Sequence, residues 1–139
     1  MNSGFVVDSS VGVAWAVASQ ASEATRRLLD DVASGTPLVV PVLWTFEVAN
    51  SLLVLARRKR IQPEECGRAR RALSRLNPTI DDEGPRLALG RIAELAEKHG
   101  LSVYDAAYLE LALRRGLPLA SRDAALNKAA KLSGVTTLL

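Results

Sequence analysis

Short aliphatic runs alternate along the chain with longer segments in which apolar residues recur at helical spacing. The aliphatic runs predict strands, because buried parallel strands are short, continuous and rich in Val, Leu and Ile. Five such strands are predicted, over residues 5–7, 38–40, 79–80, 117–120 and 135–138. The alternation predicts an α/β protein in which helices cover both faces of a five-stranded parallel sheet, as a three-layer α/β/α sandwich.

The segments of helical period predict about seven helices between these strands. The first follows Asp8, where the hydroxyl groups of Ser9 and Ser10 can cap a helix. The acidic residues 81–83 are interpreted as negative charge at the start of a helix, where it is favourable. The other helices are predicted over residues 22–34, 41–59, 63–76, 85–98, 102–115 and 122–132.

Composition narrows the class of protein. The chain has 139 residues, of which 48% are hydrophobic and 24% charged, so we expect one globular domain over residues 1–139. Its longest apolar run, near residues 11–18, is far shorter than the roughly 20 residues of a membrane span, so we expect a soluble cytoplasmic protein without membrane contact. One cysteine and one histidine cannot form an intrachain disulfide or a four-ligand zinc site.

The net charge of +3 conceals an uneven distribution. Residues 57–75 hold eight basic residues against Glu64 and Glu65, a local charge of +6, and the rest of the chain carries −3. Such a segment can contact nucleic-acid phosphates or a partner protein, or it can simply be a pair of solvated helix faces. The eight are Arg57, Arg58, Lys59, Arg60, Arg68, Arg70, Arg71 and Arg75.

Four carboxylates fall where an open parallel sheet binds ligands, outside the carboxyl ends of its strands. Asp8 follows the first strand and Asp123 follows the fourth, while Glu47 lies two helical turns after the second. Asp105 falls in the first turn of its helix, one helix and one strand before Asp123. Each aspartate also fits an ordinary helix cap, Asp105 and Asp123 most of all.

Glu47 is harder to explain structurally, because it lies in an otherwise apolar helix and shares a stripe with Asn50 and Ser51. Several acids in one cleft repel one another unless a cation lies among them. Ligand sets made only of oxygen atoms suit Mg²⁺ or Mn²⁺. The sequence therefore predicts a divalent metal site.

Four blocks of sequence resemble the acidic motifs of PIN-domain ribonucleases, and in particular the VapC-type toxins of toxin–antitoxin pairs. The blocks read FVVDSS, EVAN, YDAAYL and ASRD, over residues 5–10, 47–50, 104–109 and 120–123. The resemblance implies a PIN-like fold and an endoribonuclease that depends on Mg²⁺ or Mn²⁺. It also implies an RNA substrate, a neutralising antitoxin and a homodimer.

The same resemblance implies roles for individual residues. The catalytic and metal-binding acids would be Asp8, Glu47, Asp105 and Asp123. Supporting residues would be Ser9, Asn50 and Ser121.

Other functions remain open at this point. A receiver-like phosphoacceptor domain would need a lysine after a late strand, where this chain has Arg122. A phosphatase with an aspartyl nucleophile would need a second aspartate at Ser10. A non-catalytic α/β binding module with an acidic metal pocket is the third alternative.

Overall fold

The computed structural model describes residues 3–139 and contains a parallel sheet of four strands in the order β3-β2-β1-β4. Val6 of β1 pairs with Val39 of β2 on one side and with Leu119 of β4 on the other. The predicted parallel α/β architecture is thereby confirmed. The strands are β1 (Phe5–Val7), β2 (Leu38–Pro41), β3 (Thr79–Asp81) and β4 (Leu119–Ala120).

Helices connect the strands, and they form two groups. α1 to α4 pack against one another. α5, α6 and α8 lie around α7, which contacts β1 and β2. A π-helical turn, Ala88–Ile92, joins α5 to α6, and a 3₁₀ turn, Ala18–Gln20, follows α1. The helices are α1 (Ser9–Ala16), α2 (Glu23–Ala33), α3 (Leu43–Arg57), α4 (Pro63–Ser74), α5 (Gly84–Leu87), α6 (Ala93–His99), α7 (Val103–Arg115) and α8 (Ala124–Leu132).

The prediction of a fifth strand over residues 135–138 was wrong. This segment makes only an isolated parallel bridge, between Thr137 and Leu119. Pairing between this segment and β4 cannot extend to the residues before Leu119, because the N–H of Leu117 bonds to the carbonyl oxygen of Ala112 at the end of α7. Pairing cannot extend past Ala120 either, because β4 ends there and the following residues turn towards the end of β1.

Two further expectations need correction where β2 and β3 end. Pro41 does not open α3 but closes β2, where it pairs with Asp81, and α3 begins at Leu43. Asp81 does not act as a helix-start charge. It closes β3 with only 2% of its surface exposed, and ion pairs with Arg114 and Arg115 compensate its burial.

The core lies on both sides of β1, whose three residues are all buried. Trp44 is 3% exposed, as expected of a core aromatic residue, and packs against α1 at Gly12. A Cβ atom at Gly12 would lie 2.9 Å from the Trp44 ring and 2.9 Å from Val48, so α1 and α3 can approach this closely only with glycine there. Among the helices of residues 3–139, none is long and apolar enough to cross a membrane.

Candidate functional site

Asp8 lies where β1 becomes α1, and contacts hold both its backbone and its side chain. Its N–H bonds to the carbonyl oxygen of Ala120, and its own carbonyl oxygen accepts a hydrogen bond of 3.1 Å from Nε1 of Trp44. Oδ1 accepts from the Ser10 hydroxyl at 2.6 Å and from the N–H of Val11 at 3.3 Å. Asp8 is therefore the N-cap of α1 as well as a buried carboxylate at the sheet edge.

Ser121 connects the ends of β1 and β4. Its hydroxyl donates to Oδ2 of Asp8 and accepts a hydrogen bond of 2.9 Å from the N–H of Asp123. The Ser10 hydroxyl makes a parallel connection, because it accepts from the N–H of Arg122 at 3.0 Å. Ser10, rather than the predicted supporting residue Ser9, is the serine of this turn that contacts Asp8.

Glu47 reaches the same region from α3. It is half-buried, and its Oε1 accepts a hydrogen bond of 2.5 Å from the hydroxyl of Tyr108, a fully buried residue of α7. Asn50 and Ser51, one turn further along α3, line a cleft of about 480 Å³ together with Asp123. Two residues of the predicted polar stripe on α3, Asn50 and Ser51, thus line the cleft, while Glu47 contacts Tyr108.

Asp105 and Asp123 differ in the part they play at their helix starts. Asp123 caps α8, because its Oδ1 accepts hydrogen bonds from the N–H groups of Ala125 and Leu126. Asp105 is not a cap. Ser102 caps α7 by accepting from the N–H of Asp105, so the Asp105 carboxylate is left for other interactions.

The pKa shifts show that these carboxylates share one electrostatic environment. Burial raises the pKa of Asp8, although hydrogen bonds from Ser10 and Ser121 oppose the shift. Burial also raises the pKa of Glu47, and the charges of Asp105 and Asp8 add to the increase. The pKa of Asp105 is raised by burial and then by the charges of Asp123 and Asp8. Asp105 is therefore repelled by the other three acids, as expected of a site that needs a cation.

The donor chemistry of this cluster fits Mg²⁺ or Mn²⁺, although the acids do not form a closed cage. No group of three or more Asp, Glu, His or Cys residues within 3–139 is arranged so that it could hold an ion by itself. Mg²⁺ usually takes one or two carboxylates and completes its octahedron with water and substrate phosphate oxygens. A site on Asp8 and Asp105, whose charges interact, is compatible with that mode of binding.

Besides Ser10, three residues that position the site were not among the predicted site residues. Tyr108 lies three positions after Asp105 on α7, a spacing that places both on one helix face and could have identified it. Trp44, a buried core residue, also holds the Asp8 carbonyl group. Asn127 of α8 donates a hydrogen bond of 2.9 Å to the carbonyl oxygen of Ser121. No local pattern indicates that contact.

Comparison with known proteins then identifies the family. The family model described as PIN domain matches residues 5–132. The chain belongs to the PIN domain family. A curated relative, ribonuclease VapC3 from Pyrobaculum aerophilum, is 33% identical over 118 residues, which make up 85% of this chain and 88% of the relative. The resemblance to VapC-type PIN domains is confirmed.

Solved structures share the PIN fold. The crystal structure of PAE2754 from Pyrobaculum aerophilum has a TM-score of 0.74 at 23% identity, covering 99% of this chain and 91% of that one. A toxin–antitoxin complex from Klebsiella pneumoniae has a TM-score of 0.65 at 20% identity, covering 98% of both chains. FitAcB from Neisseria gonorrhoeae has a TM-score of 0.58 at 18% identity, with coverages of 96% and 95%.

Proposed function

We propose that this PIN domain is an endoribonuclease that depends on Mg²⁺ or Mn²⁺ and acts as the toxin of a toxin–antitoxin pair. The observation that carries the proposal is the repulsion between Asp105 and the other three acids. A fold stabilised only by helix caps has no need for Glu47 and Asp105 to lie within reach of the charge on buried Asp8. The name of the relative ribonuclease VapC3 supports the proposed activity on RNA.

In this proposal Asp8 and Asp105 hold the ion, Asp123 assists directly or through water, and Glu47 orients the attacking water or completes a second site. A bound divalent ion supplies a more acidic water and offsets the charge that builds on the phosphate. Hydrolysis adds the water oxygen to phosphorus, breaks one P–O bond, and delivers a proton to the leaving oxygen. No side-chain nucleophile is required.

The supporting residues keep the carboxylates in place. Ser10 and Ser121 each donate to one oxygen of Asp8, which orients the carboxylate and leaves its remaining lone pairs for an ion. Tyr108 similarly occupies one oxygen of Glu47. Asn50 lies in the cleft beside Asp123, where its amide can hydrogen-bond a phosphate oxygen.

The proposal is tested with Asp8→Asn and Asp105→Asn, with Asp82→Asn as a control because Asp82 is exposed. Cleavage of labelled RNA is followed with Mg²⁺, with Mn²⁺ and with EDTA. We expect both site variants to lose metal-dependent cleavage while their circular dichroism spectra match the wild type. Full activity in either site variant contradicts the assignment.

We also propose a cognate antitoxin and a homodimer as partners. A neighbour in the fold comparison is a toxin–antitoxin complex, which supports the first of these. The adjacent reading frame should then encode a short DNA-binding protein, and coexpression of the two should suppress cleavage. Sedimentation of the purified chain tests the dimer, and a monomer at every concentration contradicts it.

A further inference from the structure

The basic segment, residues 57–75, differs from the rest of the protein in the ion pairing of its Arg and Lys side chains. All eight of its Arg and Lys residues are exposed, and none forms a salt bridge within the part of the chain that the structure describes. Of the ten basic residues elsewhere, five are in ion pairs. A solvated helix face usually carries acids that pair with its bases, but Glu64 and Glu65, the two acids of this segment, form no salt bridge among the described residues.

One helix face connects the acidic site with this segment. Glu47, Asn50, Val54 and Arg58 follow one another at intervals of three or four residues, so they lie on the same side of α3 and its C-cap. From Glu47 to Arg58 the helix rises about 16 Å, at 1.5 Å per residue. The cleft of about 480 Å³ follows this face, since residues from Asn50 to Leu55 line it.

A defined turn presents the cations at the end of this face. Lys59 has a φ of 58°, in the left-handed region, and its N–H bonds to the carbonyl oxygen of Ala56. The N–H of Arg60 bonds to the carbonyl oxygen of Leu55. Four consecutive basic residues, 57–60, therefore follow shortly after Val54 and Leu55, which line the cleft near the end of α3.

We infer that the basic segment binds the phosphate backbone of RNA that extends along α3 from the acidic site. The inference rests on the proposed function, because it takes RNA as the substrate. The acidic site repels a polyanion, so flanking cations must draw RNA in and hold it. Unpaired exposed cations suit that task, because each can release condensed counterions from RNA. An acidic face on a protein partner is the competing occupant, and the test includes it.

The test compares two triple variants of equal charge change. One is Arg57→Gln, Arg58→Gln and Arg60→Gln. The other, the control, is Arg26→Gln, Lys98→Gln and Lys131→Gln, at exposed positions without salt bridges among the described residues. Binding of a random-sequence, fluorescein-labelled single-stranded RNA pool is measured in EDTA over a series of KCl concentrations.

We expect the segment variant to bind RNA at least tenfold more weakly at low salt. The slope of log K against log salt should fall in magnitude by about 2, at roughly 0.7 per lost phosphate contact. The control should keep both values close to wild type. Lys59→Gly should leave the fold intact, because glycine readily adopts the left-handed conformation of this residue. It should lower the magnitude of the slope of log K against log salt by about 0.7.

Cleavage assays distinguish a failure of this inference from a failure of the proposed function. A dinucleotide substrate is too short to reach the turn, so the segment variant should cleave it at the wild-type rate while its KM for long RNA rises. Salt-dependent binding that is lost only in the segment variant supports the inference even if the wild type cleaves no RNA, and in that case only the proposed function fails. Unchanged RNA binding in the segment variant overturns the inference and leaves contact with a protein partner or a solvated surface as the alternatives. An equal loss in the control overturns it as well.

Discussion

The hydroxyl group of Tyr108 donates a hydrogen bond of 2.5 Å to Oε1 of Glu47, which is 61 residues away in the chain. Burial and the neighbouring Glu47 raise the pKa of Tyr108, so it stays protonated and acts as the donor. The same hydrogen bond opposes the rise in the pKa of Glu47 that burial causes. A buried neutral side chain thus helps to keep a half-buried carboxylate ionised.

Tyr108→Phe removes this hydrogen bond and keeps the ring. We expect the pKa of Glu47 to rise further, so the acidic limb of the RNA-cleavage pH profile should move to higher pH. Stability should fall by about 1.5–3 kcal/mol, typical for a lost hydrogen bond to a charged group. Tyr104→Phe is the control, because Tyr104 is on the same helix and exposed. Identical pH profiles for Tyr108→Phe and wild type would contradict this role.

Asp105→Asn should stabilise the metal-free protein while it abolishes cleavage. Burial and the charges of Asp123 and Asp8 raise the pKa of Asp105, so its ionised form destabilises the fold at neutral pH. We expect a gain of about 0.5–1 kcal/mol in EDTA. Mg²⁺ or Mn²⁺ should then raise the melting temperature of the wild type more than that of the variant. Thermal unfolding with and without metal measures both effects, and equal metal-induced shifts would count against Asp105 as a ligand.

Asp81→Asn should destabilise the protein without acting on the candidate site. Asp81 is 2% exposed and accepts two hydrogen bonds from Arg114, at 2.9 and 2.7 Å, and one from Arg115 at 2.9 Å. Both arginines keep some solvent contact, so we expect a loss of about 2–3 kcal/mol in urea unfolding. Glu23→Gln, which breaks an exposed pair with Arg27, should cost less than about 0.5 kcal/mol. Equal losses in the two variants would show that burial of the Asp81 pair adds nothing.

The contribution of Asp81 should also depend on pH. Hydrogen bonds from Arg114 lower the pKa of Asp81 from 3.8 to about 2, so the folded protein binds this proton more weakly than the unfolded chain. The stabilisation is therefore fully present above the unfolded pKa and is lost as the pH falls from 3.8 to about 2. Urea unfolding of wild type and Asp81→Asn over this range should show their difference shrinking. A constant difference would mean that the carboxylate charge is not its source.

Gly12→Ala tests the close approach of α1 and α3 beneath Asp8. The new Cβ would lie 2.9 Å from both Trp44 and Val48, so the helices must separate or the Trp44 ring must shift. We expect a loss of about 1–3 kcal/mol in thermal unfolding, and reduced cleavage because Trp44 holds the Asp8 backbone. Gly90→Ala is the matched control, since nothing lies within 4 Å of its added Cβ. It should be neutral or stabilise the helix by up to about 1 kcal/mol.

The sequence by itself determined the order of the four strands and of the helices between them, except that the helix predicted over residues 85–98 is interrupted by the π-helical turn Ala88–Ile92. It did so because hydrophobic spacing and turn residues act locally, as in β1, where Phe5, Val6 and Val7 are all buried. It also predicted that the four acids lie near one another, because the carboxyl ends of parallel strands meet at one sheet edge. Ser121 was indicated only by the resemblance to PIN domains. It could not show whether residues 135–138 form a strand, since strand pairing depends on which backbone N–H and carbonyl groups are still free once the chain has folded.

Only the tertiary structure decided how the polar groups are partnered. Asp81 and Arg114 are 33 residues apart, so no local sequence pattern indicates their ion pair. The acidic residues 81–83 were therefore interpreted more simply, as negative charge at the start of a helix. Tyr108 reaches Glu47, and Asn127 the Ser121 backbone, because separate helices converge on one edge of the sheet. Burial makes these contacts necessary, since a buried polar group is costly without a partner, and burial is a property of the folded chain.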